Sequence, residues 1–239
     1  MTTSTTESAP RRRSGARKVR LDTEMIVSAG LEISAETKSN DFSAKALGIR
    51  LGVDPSAIYR HFRSKGHLME ALLDEVHVRT MRNVSADISD WRGRIRQLAE
   101  ATLVEYCRHP SIAAESMVLT THGPGELAAI ELFLDALSRA GLSPDDVVKH
   151  YAMLSSYILS TASGIARARI ESGDSDPTDE SSPWLDGPIL ADPRTHPQIA
   201  RFSAQLAELE DRETYLAGVE TLLDAAERAG TASAQQARQ

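Results

Sequence analysis

Tyr59, Arg60, His61 and Lys65 stand within one short stretch, just after the small residues Ser56 and Ala57. A guanidinium can grip a phosphate or take the two acceptors on the edge of a guanine, and a phenol and an imidazole can each donate to phosphate oxygens. Small side chains ahead of them let a backbone approach a groove closely. The chemistry on offer is recognition of a polyanion rather than bond making.

The surrounding residues dictate how such a group would be held. Asp54 is a good N-cap, and Pro55 follows at the first helical position, where its missing N–H costs nothing. Ile58 and Phe62, four apart, give that segment an inward stripe, which leaves Ser56, Ala57, Tyr59, Arg60 and His61 on the opposite face. The preceding helix starts near Ser43, places Ala44, Leu47 and Leu51 on one side, and stops at Gly52, a suitable C′ residue. A first helix runs from about Asp22 through Met25, Ile26, Ala29 and Ile33. A fourth, capped by Ser64, carries Leu68, Leu72 and Val76. Residues 43–62 therefore spell helix, tight turn, helix, and the N–H groups opening the fourth helix beside Lys65 form a further anion site. The same geometry occurs in all-α proteins that bind no nucleic acid, where a polar face is simply solvated.

Charge favours the first reading. The 239-residue chain has a net charge of −7, yet residues 1–65 hold 12 Lys/Arg against 7 Asp/Glu and the remainder holds 15 against 27. A basic module joined to an acidic one suits a polyanion partner for the first module alone. The stretch RRRSGARKVR adds a basic arm of the kind that reaches a minor groove or a backbone. Residues 1–20 have too little apolar content to fold alone and are expected to be disordered.

Apolar residues at 41% and charged residues at 26% are those of a soluble globular protein, and aromatics at 5% lean away from a β fold. The single Cys107 excludes an internal disulfide framework and suits a reducing compartment. With no membrane-length apolar run and no secretion-type leader in the amino-terminal residues, a cytoplasmic location is expected. Beyond the fourth helix, periodicity and punctuation predict helices at about 90–108, 111–120, 124–140, 144–171, 196–210 and 212–229, with a Pro/Gly/Ser/Asp-rich loop at 172–195. No G-x-S-x-G, phosphate-binding glycine loop or H-E-x-x-H motif is present, so no enzyme and no cofactor is expected. His109, His122 and His150 lack metal-ligand spacing, and no metal is expected.

The run FSAKALGIRLGVDPSAIYRHFRSKGHLMEAL, notably Leu47, Gly52, Val53, Ser56, Tyr59, His61, Phe62, Lys65 and Leu68, resembles the signature of the tetracycline-repressor (TetR) family. The resemblance covers residues 22–78. It implies an all-α homodimer: an N-terminal three-helix helix-turn-helix DNA-binding domain, here 21–66, followed by a larger helical effector-binding and dimerisation domain at 67–230, with a disordered tail at 231–239. It gives the recognition role to Ser56, Ala57, Tyr59, Arg60 and His61, phosphate positioning to Ser43 and Lys65, and an arm role to Arg17, Lys18 and Arg20. The implied partners are a double-stranded DNA operator and a small-molecule effector, and the implied function is a repressor released by that effector. Effector-contact candidates are Tyr106, His109, Met117, His122, Phe133, His150, Tyr151, Met153 and Tyr157, with Trp184 as a lid. The wide apolar stripes of 144–171 and 212–229 are the expected dimer contact. The competing expectation is a dimeric helical scaffold acting through protein partners, which would have no reason to keep a basic arm beside Tyr59, Arg60, His61 and Lys65.

Overall fold

The computed structural model describes residues 21–36, 43–171, 182–185 and 187–236. Among these, the ordered elements are helical: α1 Thr23–Glu36, α2 Ala44–Leu51, α3 Pro55–Ile58, α4 Lys65–Arg82, α5 Trp91–Arg108, α6 Pro110–Ala113, α7 Pro124–Arg139, α8 Pro144–Glu171, α9 Pro197–Ala207 and α10 Asp211–Gln236. An antiparallel bridge between Pro183 and Glu210 is the extended pairing seen among the described residues. The expected basic arm at 1–20, with Arg17, Lys18 and Arg20, lies outside them, as do residues 172–181 and 186 of the loop expected at 172–195.

Two expectations are corrected. The helix expected over 111–120 is one turn of α6 followed by a 3₁₀ turn at Ala114–Met117. The N–H groups of Val118 and Leu119 both fold back to the Glu115 carbonyl, and the β-branched run of Val118, Thr120 and Thr121 offers little to prolong a helix. At the other end, α10 does not stop near 229: residues 231–236, expected as tail, continue it. Alanine and glutamine are good helix formers there, and the Thr231 hydroxyl donates to the Glu227 carbonyl at 3.0 Å.

Helices α4, α5, α7, α8 and α10 form the body; α1 packs on α4, α2 on α1, and α3 on α2. Leu72, Leu73 and Val76 of α4, Ile95 and Ala99 of α5, and Leu154 and Ile158 of α8 are buried in one continuous core. The apolar stripe of α10, expected at a dimer contact, is used within the chain: Tyr215, Val219, Leu223 and Ala226 are fully buried, and the Tyr215 hydroxyl donates to the Ala99 carbonyl of α5 at 2.9 Å. Arg92 pairs with Glu220, Asp224 and Glu227 and Arg96 pairs with Glu220, so α10 is also pinned to α5 along its exposed edge.

The α1–α3 unit meets the rest of the chain through α1, which packs on α4 and α6. Ser34 and Ser111 share a buried hydroxyl–hydroxyl hydrogen bond of 2.9 Å. Beside it His109 is 2% exposed, neither ring nitrogen has a hydrogen-bond partner, and Nε2 lies 3.8 Å from the Glu105 carboxylate. Burial, with Arg79 and Arg108 nearby, pushes its pKa down to about 4. A lowered histidine pKa means the unfolded chain binds the proton first. The stabilisation is therefore complete above about pH 6.5 and is lost as pH falls toward 4, by roughly 2–3 kcal/mol for a shift of this size. Urea titrations between pH 7 and 4.5 should show that acid limb, and His109→Leu should flatten it; an unchanged limb in the variant would assign it elsewhere.

Candidate functional site

The turn before α3 is built by local rules. Gly52 adopts φ 64°, its N–H reaches the Ile49 carbonyl, and the Val53 N–H reaches the Gly48 carbonyl at 2.9 Å, a Schellman ending for α2. A Cβ at Gly48 would stand 2.8 Å from the Val53 carbonyl oxygen, so α2 and the turn can meet this closely only at glycine. Asp54 then caps α3 by accepting from the Ser56 N–H at 2.8 Å, and the Ser56 hydroxyl together with that N–H holds its carboxyl below the usual range.

Ile58 is fully buried and Phe62 nearly so, and the N–H groups of His61 and Phe62 both bond to the Ile58 carbonyl, so the segment tightens as it leaves the helix. Ser56, Tyr59, Arg60 and His61 are exposed and Ala57 is half-buried. All five lie on this short α3 and its following turn. Lys65 is exposed at the first position of α4, whose N-cap Ser64 accepts from the His67 N–H at 3.1 Å. Ser43 is the N-cap of α2: its oxygen accepts from the Ala46 N–H at 3.2 Å, which leaves its hydroxyl proton free to point outward. Arg50, exposed on α2, is engaged by Glu32 and Glu36 of α1, which ties those two helices together.

The second feature is a cleft between α4, α5, α7 and α8 of about 530 Å³, counting its open mouth. His77 and Thr80 reach it from α4, Leu98 and Thr102 from α5, Glu126, Ala129, Ile130 and Phe133 from α7, and Tyr151, Ser155, Ile158 and Leu159 from α8. Of the residues expected at an effector site, the cleft brings together Phe133 and Tyr151, whose rings meet edge to face at 5.8 Å.

The others lie elsewhere. Tyr106 and His109 are enclosed in the core, and burial pushes the Tyr106 phenol well up. Tyr157 stacks on Tyr215 and donates to its carbonyl at 3.2 Å. His150 Nδ1 sits 2.9 Å from the Asp146 carbonyl one turn back. Met117, His122, Met153 and Trp184 are exposed, Trp184 donating its backbone N–H to the Leu209 carbonyl at 2.7 Å.

Sequence reasoning missed His77, Thr80 and Glu126: its effector candidates run from Tyr106 to Tyr157 with Trp184, which leaves α4 out and passes over Glu126 as one carboxylate among many. The available signal was the placement of Asp74 and His77 one turn apart on a face otherwise filled by Leu and Val. Asp74 explains that face: its carboxylate accepts from the Gly125 N–H at 3.2 Å, the Glu126 N–H at 3.0 Å and the Thr121 hydroxyl at 3.0 Å. It thus caps the N-terminus of α7 from a neighbouring helix. A Cβ at Gly125 would fall 2.4 Å from the Asp74 carbonyl oxygen, so the two helices touch backbone to backbone there. No group of three or more His, Cys, Asp and Glu side chains among the described residues is arranged to hold a metal ion.

Comparisons with known proteins agree with this two-part layout. Residues 26–72 match the family described as bacterial regulatory proteins, tetR family, and residues 86–229 match the tetracyclin repressor-like C-terminal domain. The chain is 28% identical over 154 residues to the HTH-type transcriptional repressor DrrR1 of Streptomyces coeruleorubidus; the match takes in 64% of this chain and 56% of that protein, so it spans little more than half the relative's length. It is 24% identical over 230 residues to the HTH-type transcriptional repressor Rv1353c of Mycobacterium tuberculosis, 93% of this chain and 86% of the relative. Its fold matches SCO7222, a TetR regulator of Streptomyces coelicolor, with a TM-score of 0.65 at 24% identity, over 88% of this chain and 100% of the other. It also matches ActR of Streptomyces coelicolor solved with actinorhodin, with a TM-score of 0.68 at 14% identity, over 88% and 99% of the two chains. With both halves matched, the chain belongs to the tetracycline-repressor (TetR) family of helix-turn-helix transcriptional regulators.

Proposed function

We propose that the protein is a homodimeric repressor, without catalytic activity, that works in the cytoplasm. It binds a palindromic operator through α3 and lets go when a small molecule occupies the cleft between α4, α5, α7 and α8. The observation that carries this reading is the exposed set Ser56, Tyr59, Arg60 and His61, held over the buried Ile58 and Phe62. Helix α4 runs from Lys65 at this face to His77 and Thr80 at the cleft, so an occupant of the cleft acts directly on the helix that carries the reading head. That DrrR1 and Rv1353c are named repressors, and that ActR was solved with actinorhodin, supports a ligand-released repressor. No helix among the described residues is long and apolar enough to cross a membrane.

For the dimer contact, α8 offers Ala152, Ser156, Ser160 and Gly164, each one turn from the next and all exposed, and α10 offers Ala217 and Thr221. Flat, small-residue faces let helices of two copies pack closely into a four-helix bundle around a two-fold axis. Two reading heads would then address half-sites one helical turn of DNA apart.

Operator affinity should depend steeply on salt, because Lys65 and the arm residues Arg17, Lys18 and Arg20, with their counterparts on the second copy, neutralise phosphates. Fluorescence anisotropy with a labelled operator should give a slope of log affinity against log salt of about −4 or steeper. A slope shallower than about −1 would remove the α3 face as the binding surface.

A further inference from the structure

The wall of the cleft restricts the chemistry of its occupant. Its aliphatic hydroxyls have already spent their protons: Thr80 donates to the Val76 carbonyl at 3.0 Å, Thr102 to Leu98 at 2.7 Å and Ser155 to Ala152 at 3.3 Å. What remains is the Tyr151 phenol, which can give or take a hydrogen bond, the His77 imidazole, and the Glu126 carboxylate, which only accepts. His77 Nδ1 is buried and has no hydrogen-bond partner. Burial holds the pKa of this imidazole below its ordinary value, against the pull of Glu126 and Asp74, so the ring is neutral near pH 7 and one nitrogen is a bare lone pair. Nδ1 is closed off from solvent, so Nε2 is the nitrogen that an occupant of the cleft can reach.

Glu126 lines the cleft and accepts from the His122 N–H through Oε2 at 2.6 Å. No Lys or Arg lines the cleft, so an anion would meet a carboxylate with no cation to offset it. The rest of the wall is aliphatic and aromatic, with Phe133 and Tyr151 presenting an edge-to-face pair to a flat body.

We propose that the cleft takes a ring-bearing, largely apolar ligand that is neutral or cationic and donates a hydrogen bond, from a hydroxyl or a protonated amine, to the His77 imidazole or the Glu126 carboxylate. This rests on the cleft being the effector site. The two groups belong to α4 and α7, the helices that Asp74 clasps one turn from His77, so the ligand's donor acts at the contact through which the cleft reaches the reading head.

The test is isothermal titration of the full chain with four probes sharing one ring system: 2-naphthol, protonated 2-naphthylmethylamine, naphthalene and 2-naphthoate. At least one donor probe should bind about tenfold or more tighter than naphthoate, a gap of ~1.4 kcal/mol. His77→Leu should weaken naphthol about fivefold, the worth of one hydrogen bond, and leave naphthalene unchanged. Glu126→Gln should weaken the ammonium probe selectively, which separates the two donor sources. Naphthoate binding as well as the donors, or donor affinities unmoved in both variants, would overturn the ligand class. Ala129→Trp, which fills the cleft, separates that failure from the failure of the site. If it abolishes binding of every probe while their order is flat, the site stands and the ligand class falls. If no probe binds, or all bind equally well to the filled variant, the cleft is not the site and both readings fall.

Discussion

Phe62→Ala is expected to destabilise the protein by about 3–5 kcal/mol and to abolish operator binding at temperatures where the wild type is fully active. Phe62 is 2% exposed and meets the His67 ring edge to face at 5.5 Å. Its N–H, with that of His61, fastens the turn after α3 to the Ile58 carbonyl. Removing the ring leaves a void beneath Tyr59, Arg60 and His61, so the contact face loses its floor as well as its stability. Urea unfolding should show a lower midpoint, and Arg63→Ala, an exposed neighbour, should stay within about 0.5 kcal/mol of wild type. A loss under ~1 kcal/mol for Phe62→Ala would mean that α3 is held by something other than this anchor.

The second large effect lies at the far end of the body. Arg169 on α8 and Asp211 at the start of α10 form a two-point pair, Nε to Oδ2 at 2.7 Å and an Nη2 contact to Oδ1 at 2.8 Å, with side chains 9% and 7% exposed. Asp211 also accepts from the Ser182 N–H at 3.1 Å, which ties the segment before α9 to the same point. Arg169→Ala would strand a buried carboxylate and should cost about 3–5 kcal/mol. Replacing both partners, as Arg169→Met with Asp211→Leu, should recover most of that loss, because the penalty comes from the unpaired charge rather than from the absence of the pair. If the double variant is no better than the single one, the carboxylate's other bonds are the important ones.

The reading head was legible because its rules are local. Ser43, Gly52, Asp54, Pro55 and Ser64 each act on a backbone group within a few residues, and the structure places each at the cap or turn its chemistry demands. Helix boundaries in the body followed from Pro110, Pro124 and Pro144 for the same reason. The cleft was less legible because it depends on which helices cross. His77 and Glu126 are 49 positions apart in sequence and become neighbours only because Gly125 lets α7 lie against the backbone of α4. The α10 stripe shows the same limit. A wide apolar face announces burial but not whether the covering surface belongs to the same chain, and Tyr215 and Leu223 are covered by their own α5 and α8.

The most direct measurement is selection of bound duplexes from a random DNA library by the full chain and by Arg60→Ala in parallel. An inverted repeat with half-site centres about 10 base pairs apart should be enriched by the wild type. Arg60→Ala should blur one position in each half-site, at a cost of about 1–3 kcal/mol on the matched sequence only. Enrichment of no sequence at low salt would contradict a sequence-reading function for the α3 face.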